Sequence, residues 1–188
     1  MSRLSHRTRR LRENPGVFRA DFATSDSAVD LALLGRGYHI VTGPVPFNGD
    51  GPMREHWDIV YDYLIGRGLA AKAVMSGAGG AAGEAYAWAI EHPDRVSCIY
   101  AENPLLCVNS YPTQPLDNLA PLAQAGVPIL HLCGALDPWL DGHTRVLEKL
   151  YRELGGVVGV IVKNGVGHYP LAPNDIDRVI EFITRAVA

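Results

Sequence analysis

Two polar residues in the last third of the sequence could work together as an acid–base pair. Asp137 follows an apolar run that ends at Cys133, and His168 follows another that ends at Val162. If both runs are parallel strands, the loops at their carboxyl ends lie at the edge of the sheet where ligands bind. A carboxylate that holds an imidazole in one orientation makes the ring an effective general base. The spacing therefore predicts general-base chemistry at this edge.

A glycine-rich turn earlier in the chain could face the same edge. It occupies residues 76–84, between an apolar run and a helical pattern. One reading is a dinucleotide fingerprint, in which Gly77, Gly79 and Gly83 let helix amides approach a pyrophosphate and Glu102 binds a ribose hydroxyl. The other is a nucleophile elbow, whose small flanking residues surround a central residue at a strained positive φ. The elbow is favoured, because an acid and then a histidine follow on later strand-end loops.

Alternating strand and helix patterns must position these residues. Short runs rich in apolar, β-branched and aromatic residues predict strands over 16–23, 38–42, 71–75, 96–101, 127–133 and 157–162. Four of the last five are continuously apolar, which indicates burial on both faces of a parallel sheet. Helical periodicity predicts helices over 28–34, 54–67, 80–91, 116–124, 144–154 and 176–187. The repeated order of strand and helix predicts an α/β fold with a doubly wound, mostly parallel sheet of about six strands.

Several segments resemble one known family. The stretch 85–104, which reads AYAWAIEHPDRVSCIYAENP, is similar to the elbow helix and following strand of α/β-hydrolases of the prolyl-oligopeptidase and esterase type. In these proteins the elbow reads Gly-x-Ser-Arg-Gly-Gly. The segments 33–40, 117–122 and 165–170 agree with the same family, so the resemblance covers about residues 16–185. It implies the α/β-hydrolase fold.

The resemblance also assigns roles to individual residues. The family's triad acid and histidine fall on Asp137 and His168, whereas its serine falls on Gly79, so the nucleophile position is vacant. Ser76, three residues upstream, is the alternative place for a displaced nucleophile. The amide of Gly80 corresponds to one donor of the oxyanion hole.

The resemblance further implies a reduced version of the family's fold. The strand predicted over 16–23 corresponds to the family's third, so the first two strands are expected to be absent. The second oxyanion donor would come from the loop after this strand, near Phe22. The short connection over 105–115 leaves no room for a substantial lid.

Aromatic and polar residues beside these positions are predicted to bind substrate: Phe22, Glu102, Asn103, Trp139 and Tyr169. Aromatic rings beside acidic groups suit a sugar-like ligand. The sequence thus predicts a hydrolase or lyase for a small ester or polyhydroxy substrate that is carbohydrate-derived. The Asp–His pair would act as general base on a water molecule, a substrate hydroxyl or a carbon acid, without a covalent intermediate.

Two alternatives remain at this stage. The vacant elbow is also typical of a pseudoenzyme, which would bind a small molecule or a protein partner without reaction. A dinucleotide-binding protein, based on the glycine spacing alone, is a minor alternative.

Composition sets further limits. The 188 residues are 47% hydrophobic and 20% charged, with a net charge of −3, which predicts one folded domain over 15–188. A slightly acidic domain has no overall positive electrostatic potential to attract phosphates, so nucleic acid is not an expected partner. No apolar run approaches the ~18 residues of a membrane span. We expect a small-molecule ligand, no metal and no cofactor, and an oligomer remains open.

Residues 1–14 differ from the rest in charge and are expected to form a basic, frayed arm with five arginines, Arg3, Arg7, Arg9, Arg10 and Arg12. The arm lacks the apolar stretch of a secretory signal. The three cysteines, Cys98, Cys107 and Cys133, have no metal-like spacing and are expected to be reduced. These features predict a cytoplasmic location, and whether a signal precedes the printed sequence stays open.

Overall fold

Short apolar runs form one six-stranded, all-parallel sheet in the computed structural model, which describes residues 14–20, 27–42, 54–107, 114–168 and 176–188. The strands are β1 (Gly16–Arg19), β2 (His39–Thr42), β3 (Ala73–Ala78), β4 (Val96–Glu102), β5 (Ile129–Gly134) and β6 (Val158–Lys163). In β3 and β5 nearly every residue is buried, which is why these runs are continuously apolar. The predicted fold class is confirmed, with every described strand pair parallel.

Helices cover both faces of this sheet. They are α1 (Ala28–Leu34), α2 (Arg54–Ile65), α3 (Gly80–Glu91), α4 (Ala120–Gln124), α5 (Val146–Glu153) and α6 (Ile176–Val187). Helices α1 and α6 pack on one face, and the other four contribute to the core on the opposite face. Small residues along α3 let its first ten positions, 80–89, lie buried against the sheet.

The strand order β2-β1-β3-β4-β5-β6 changes direction once. The chain runs outward from β1 to β2, returns to β3 on the other side of β1, and then continues to β6. Helices α1 and α3, which follow β1 and β3, lie on opposite faces of the sheet, and such a change opens a crevice at the carboxyl ends of the two strands. This crevice is where the predicted elbow stands, at the end of β3.

An aromatic cluster fixes α2 and α3 to the sheet beneath the elbow. Trp88 is fully buried, with its ring centroid 5.6 Å from that of Tyr61 and 6.3 Å from that of Phe18. The indole Nε1 of Trp88 donates to Asp58 Oδ1 at 3.1 Å, and the hydroxyl of Tyr61 donates to the carbonyl of Ala71 at 2.7 Å. Both the indole N–H and the tyrosine hydroxyl have acceptors, so burying these rings leaves no unpaired donor.

Among the predicted boundaries that differ from the structure, three concern the elements around the site. Strand β3 continues to Ala78, so the predicted turn over 76–84 begins only at Gly79. The helix predicted over 116–124 is a 3₁₀ turn (Pro115–Asp117) followed by α4, because Pro121 has no amide hydrogen and suits the first turn of a helix. The helix predicted over 144–154 is preceded by a π-helical turn (Leu140–Arg145), which a 3.6-residue period does not reveal.

At the start of the described chain, Asn14 is already part of the fold. It forms a parallel bridge with Leu69, and its carbonyl accepts from the amide of Ala70 at 2.9 Å. Asn14 is therefore not part of a frayed arm, and the other residues of the predicted arm, 1–13, lie outside the described residues. In the part of the chain that is described, no helix has the length and apolarity needed to cross a membrane.

Candidate active site

The turn between β3 and α3 has the backbone geometry of a nucleophile elbow. Gly79 stands between the two elements with φ 54° and ψ −128°, a combination that is essentially restricted to glycine unless the surroundings impose it. Its amide donates to the carbonyl of Glu102 at 2.9 Å, and its carbonyl accepts from the amides of Leu105 at 2.9 Å and Ala82 at 3.2 Å. The turn is therefore held by main-chain bonds on both sides.

Close packing explains the small residue before the turn. A Cβ on Gly77 would lie 2.8 Å from the Cα of Ala82, so this position has no room for a side chain. Ser76, the alternative nucleophile position, lies within β3, is 5% exposed and pairs in register with Tyr100. This burial within the strand gives its hydroxyl no place at the elbow.

Helix α3 begins directly after the elbow, so its first amide lies next to Gly79. Gly80 is the first residue of this twelve-residue helix, so its N–H has no acceptor within the helix. Such amides carry the positive end of the helix dipole and favour an anionic oxygen. Phe22, near the predicted second donor, lies outside the described residues.

Asp137 and His168 meet at the carboxyl end of the sheet. The Nδ1 atom of His168 lies 2.9 Å from Asp137 Oδ1, and the Asp137 side chain is 1% exposed while that of His168 is 26% exposed. The same Oδ1 atom accepts the backbone amide of Trp139 at 3.1 Å. When a buried carboxylate accepts a hydrogen bond from the Nδ1–H group, it holds the neutral ring in the tautomer whose lone pair is on Nε2.

Trp139 stands beside this pair and is 47% exposed. Its ring meets that of His143 edge to face, with centroids 5.7 Å apart and planes at 84°. Because one contact orients the indole while half of its surface stays open, Trp139 offers an aromatic surface next to Asp137. Tyr169, the other predicted aromatic contact, lies outside the described residues.

His143 is a buried residue of the site that the sequence analysis did not identify. His143 is 8% exposed, and its Nδ1 atom accepts the backbone amide of Leu106 at 2.8 Å and that of Cys107 at 3.3 Å. Burial lowers the pKa of His143, against the opposing effect of Asp137. The ring joins the π-helical turn to the segment after β4, and no local sequence signal predicts such a bond.

Glu102 is the last residue of β4 and Asn103 follows it, but the two side chains have different surroundings. Glu102 is partly exposed, pairs in register with Ala78, and accepts the hydroxyl of Tyr100 at Oε1 at 2.7 Å. Burial and this carboxylate raise the pKa of Tyr100 well above its ordinary value. Asn103 is fully buried, and its carboxamide bonds to Gly134 and His168. Asn103 therefore lies beneath the site and not on the surface that a substrate would contact.

A second polar group lies in the core below the site. His131 in β5 is fully buried; its Nε2 atom lies 2.8 Å from the Tyr86 hydroxyl and its Nδ1 atom 3.0 Å from Thr144 Oγ1. Cys133 Sγ lies 3.3 Å from the same Thr144 hydroxyl. Burial lowers the pKa of His131 to about 3 and raises that of Cys133 to about 11. Both residues are therefore core groups that lie below the site.

Comparison with solved structures shows what this arrangement is similar to. A putative dienelactone hydrolase from Klebsiella pneumoniae superposes with a TM-score of 0.71 at 15% identity, covering 93% of this chain and 87% of that one. SOBER1 from Arabidopsis thaliana gives 0.70 at 11% identity, covering 93% and 100%. A carboxylesterase structure from the ammonia-oxidizing thaumarchaeon Nitrososphaera gargenis gives 0.67 at 12% identity, covering 94% and 92%.

Other neighbours are longer than this chain. The chain spans 31% of a putative dipeptidyl aminopeptidase IV from Bacteroides ovatus and 60% of an uncharacterized protein from Bacillus cereus, at TM-scores of 0.67 and 0.70. No family model and no curated protein sequence matches the chain. At these identities the likeness concerns the fold alone. The parallel sheet, the elbow after β3 and these superpositions together show that the chain has the α/β-hydrolase fold.

Proposed function

We propose that this protein is a hydrolase or lyase in which His168, oriented by Asp137, acts as general base without a serine nucleophile. The observation that carries the proposal is the hydrogen bond between His168 Nδ1 and the buried Asp137 Oδ1, at the same sheet edge as an elbow without a side chain. A general base of this kind contributes about 10²- to 10⁴-fold to a rate.

The reacting group would occupy the space that a side chain at Gly79 would otherwise fill. In the neutral tautomer the lone pair of His168 is on Nε2, so the ring can take a proton from a water molecule or from a substrate hydroxyl or carbon acid. The amide of Gly80 at the start of α3 would stabilise the oxygen on which negative charge develops. No covalent acyl intermediate is required.

We propose small esters or lactones of carbohydrate-like compounds as substrates. The half-exposed indole of Trp139 beside Asp137 suits the apolar face of a sugar ring, and the partly exposed Glu102 suits its hydroxyl groups. The names of two neighbours, carboxylesterase and dienelactone hydrolase, support an ester or lactone as the bond that is cleaved.

The test is a panel of sugar acetates, sugar lactones and p-nitrophenyl acetate, assayed with the wild type before and after treatment with a serine-directed fluorophosphonate. We expect turnover that survives the fluorophosphonate and falls at least about 100-fold in His168→Gln. His39→Gln is the matched control, because His39 is exposed at the amino end of β2, away from the site. Unchanged turnover in His168→Gln would overturn the proposal.

A binding protein without catalysis is the second candidate, and the missing side chain at Gly79 is the observation that favours it. In that case the wild type turns over no member of the panel, yet sugar lactones stabilise it in thermal unfolding and Trp139→Ala removes the effect. Ligand-induced stabilisation without turnover would support this candidate over the first.

A further inference from the structure

The segment 102–105, which starts at the last residue of β4, bonds to the elbow through its main chain. The carbonyl of Glu102 accepts the amide of Gly79, and the amide of Leu105 donates to the carbonyl of Gly79, each at 2.9 Å. The position of Gly79 is thus fixed from both sides by this segment. Any other part of the protein that bonds to this segment is therefore held at a defined position relative to the elbow.

Asn103, in the middle of this segment, bonds to two other parts of the site. Its Oδ1 atom accepts the amide of Gly134, at the end of β5, at 2.9 Å. Its Nδ2 group donates to the carbonyl of His168. Its backbone amide donates to the carbonyl of Leu132 at 2.9 Å. One side chain therefore connects the elbow segment, the strand that leads to Asp137 and the loop that carries His168.

The chemistry of this position suits asparagine in particular. The carboxamide has an acceptor at one end and donors at the other, and the two partners here are an N–H and a carbonyl. The residue is 0% exposed, so water does not replace either bond. Its φ of 41° is in the left-handed region, which asparagine adopts more readily than most residues.

We propose that Asn103 is a positioning residue that sets the main chain of His168 relative to Gly79 and Asp137. The proposal rests on the proposed function for its catalytic consequence, but the geometric effect is independent of turnover. Without the bond from Nδ2, the His168 carbonyl loses its buried donor and the loop can move away from β5. A misplacement of about 1 Å can cost about 100-fold in rate.

The test compares Asn103→Asp with Asn118→Asp. Aspartate at 103 still accepts from Gly134 but faces the His168 carbonyl with a second acceptor, which repels it. Asn118 makes a similar single bond, from Nδ2 to the carbonyl of Gln114 at 2.9 Å, in the turn before α4. The same substitution there controls for the added charge.

The first readout is the proton NMR resonance of the His168 Nδ1–H group that bonds to Asp137, assigned by its loss in His168→Gln. We expect Asn103→Asp to broaden or shift this resonance, and Asn118→Asp to leave it unchanged. With a substrate from the panel, we expect kcat to fall about 100-fold with a much smaller change in KM. If the wild type turns over no substrate of the panel, that result contradicts the proposed function. The NMR comparison still tests the positioning role of Asn103.

A second variant covers the case in which Asn103→Asp does not fold. Glycine at this position adopts φ 41° without strain and removes both side-chain bonds without adding charge. We expect Asn103→Gly to fold and to show the same broadened resonance. A folded Asn103 variant of either kind whose Nδ1–H resonance matches that of the wild type would overturn the proposal.

Discussion

The amide of Gly79 donates to the carbonyl of Glu102 across the ends of β3 and β4 at 2.9 Å. The elbow is thus anchored by its main chain to the neighbouring strand, and its geometry does not depend on a side chain at its apex. Residue 79 can therefore be substituted while the main-chain bonds keep the turn.

We expect Gly79→Ser to be folded but less stable than the wild type. A serine at φ 54° and ψ −128° adopts a sparsely populated conformation, which costs about 1–3 kcal/mol in the free energy of unfolding. If the apex is aligned with His168, the new hydroxyl reacts with a fluorophosphonate, which intact-protein mass spectrometry detects. Gly79→Ala controls for the strain, and the double variant Gly79→Ser/His168→Gln should not be labelled. A folded but unlabelled serine variant would contradict the alignment.

Asp137→Asn should reduce turnover mainly through the loss of charge. One atom, Oδ1, accepts from both Trp139 and His168, so an asparagine that places its carbonyl oxygen there keeps both bonds. The lost attraction to the protonated ring is about 4 kcal/mol at an effective dielectric constant of 20, which corresponds to about a thousandfold in rate. Asp137→Ala should cost more because it also releases the ring. Asp141→Asn, at an exposed position of the π-helical turn, is the control, and equal rates for the Asn and Ala variants of Asp137 would contradict this account.

Gly134→Ala should displace the loop that carries His168. An added Cβ would lie within 3.0 Å of the main-chain carbonyl oxygens of Val166 and Gly167, and main chain cannot move aside cheaply. We expect a loss of about 1–3 kcal/mol in urea unfolding, together with a changed His168 Nδ1–H resonance. Gly142→Ala is the matched control, since nothing lies within 4 Å of its Cβ position. Equal stability of the two variants would show that the loop is not packed as described.

The buried His131 should make the fold sensitive to acid. Its pKa is about 3 in the folded protein and 6.5 for an unperturbed ring, so between these values the unfolded chain binds a proton that the folded chain does not. The contribution of His131 to the free energy of unfolding is therefore complete above about pH 6.5. It falls by about 1.4 kcal/mol per pH unit as the pH decreases toward 3. Urea unfolding of the wild type and His131→Gln from pH 7 to pH 4 measures this slope. The glutamine variant should lose that part of the slope, while His39→Gln should keep it.

Much of the fold could be predicted because its signals are local. Short apolar runs located all six described strands to within a few residues, and helical periodicity over 176–187 located α6. The pairing of Asp137 with His168 depended on strand-end loops of a parallel sheet, which the order of elements already implies. The role of Asn103 could not be predicted, since its partners at Gly134 and His168 are remote in sequence and its φ is unusual. The π-helical turn that buries His143 likewise has no periodic signature.

The single change of direction in the sheet has a consequence for the order in which the chain folds. Every other neighbouring pair joins strands that are consecutive in the chain, whereas β1 and β3 pair across the intervening β2, as in the register of Val17 with Val74. Closing the longest loop costs the most chain entropy, so this contact is expected to form late. The β1–β3 contact also brings Ala20, whose amide donates to the carbonyl of Ser76 at 2.9 Å, beside the end of β3 that leads to the elbow. The crevice would then be completed only after the rest of the sheet has assembled.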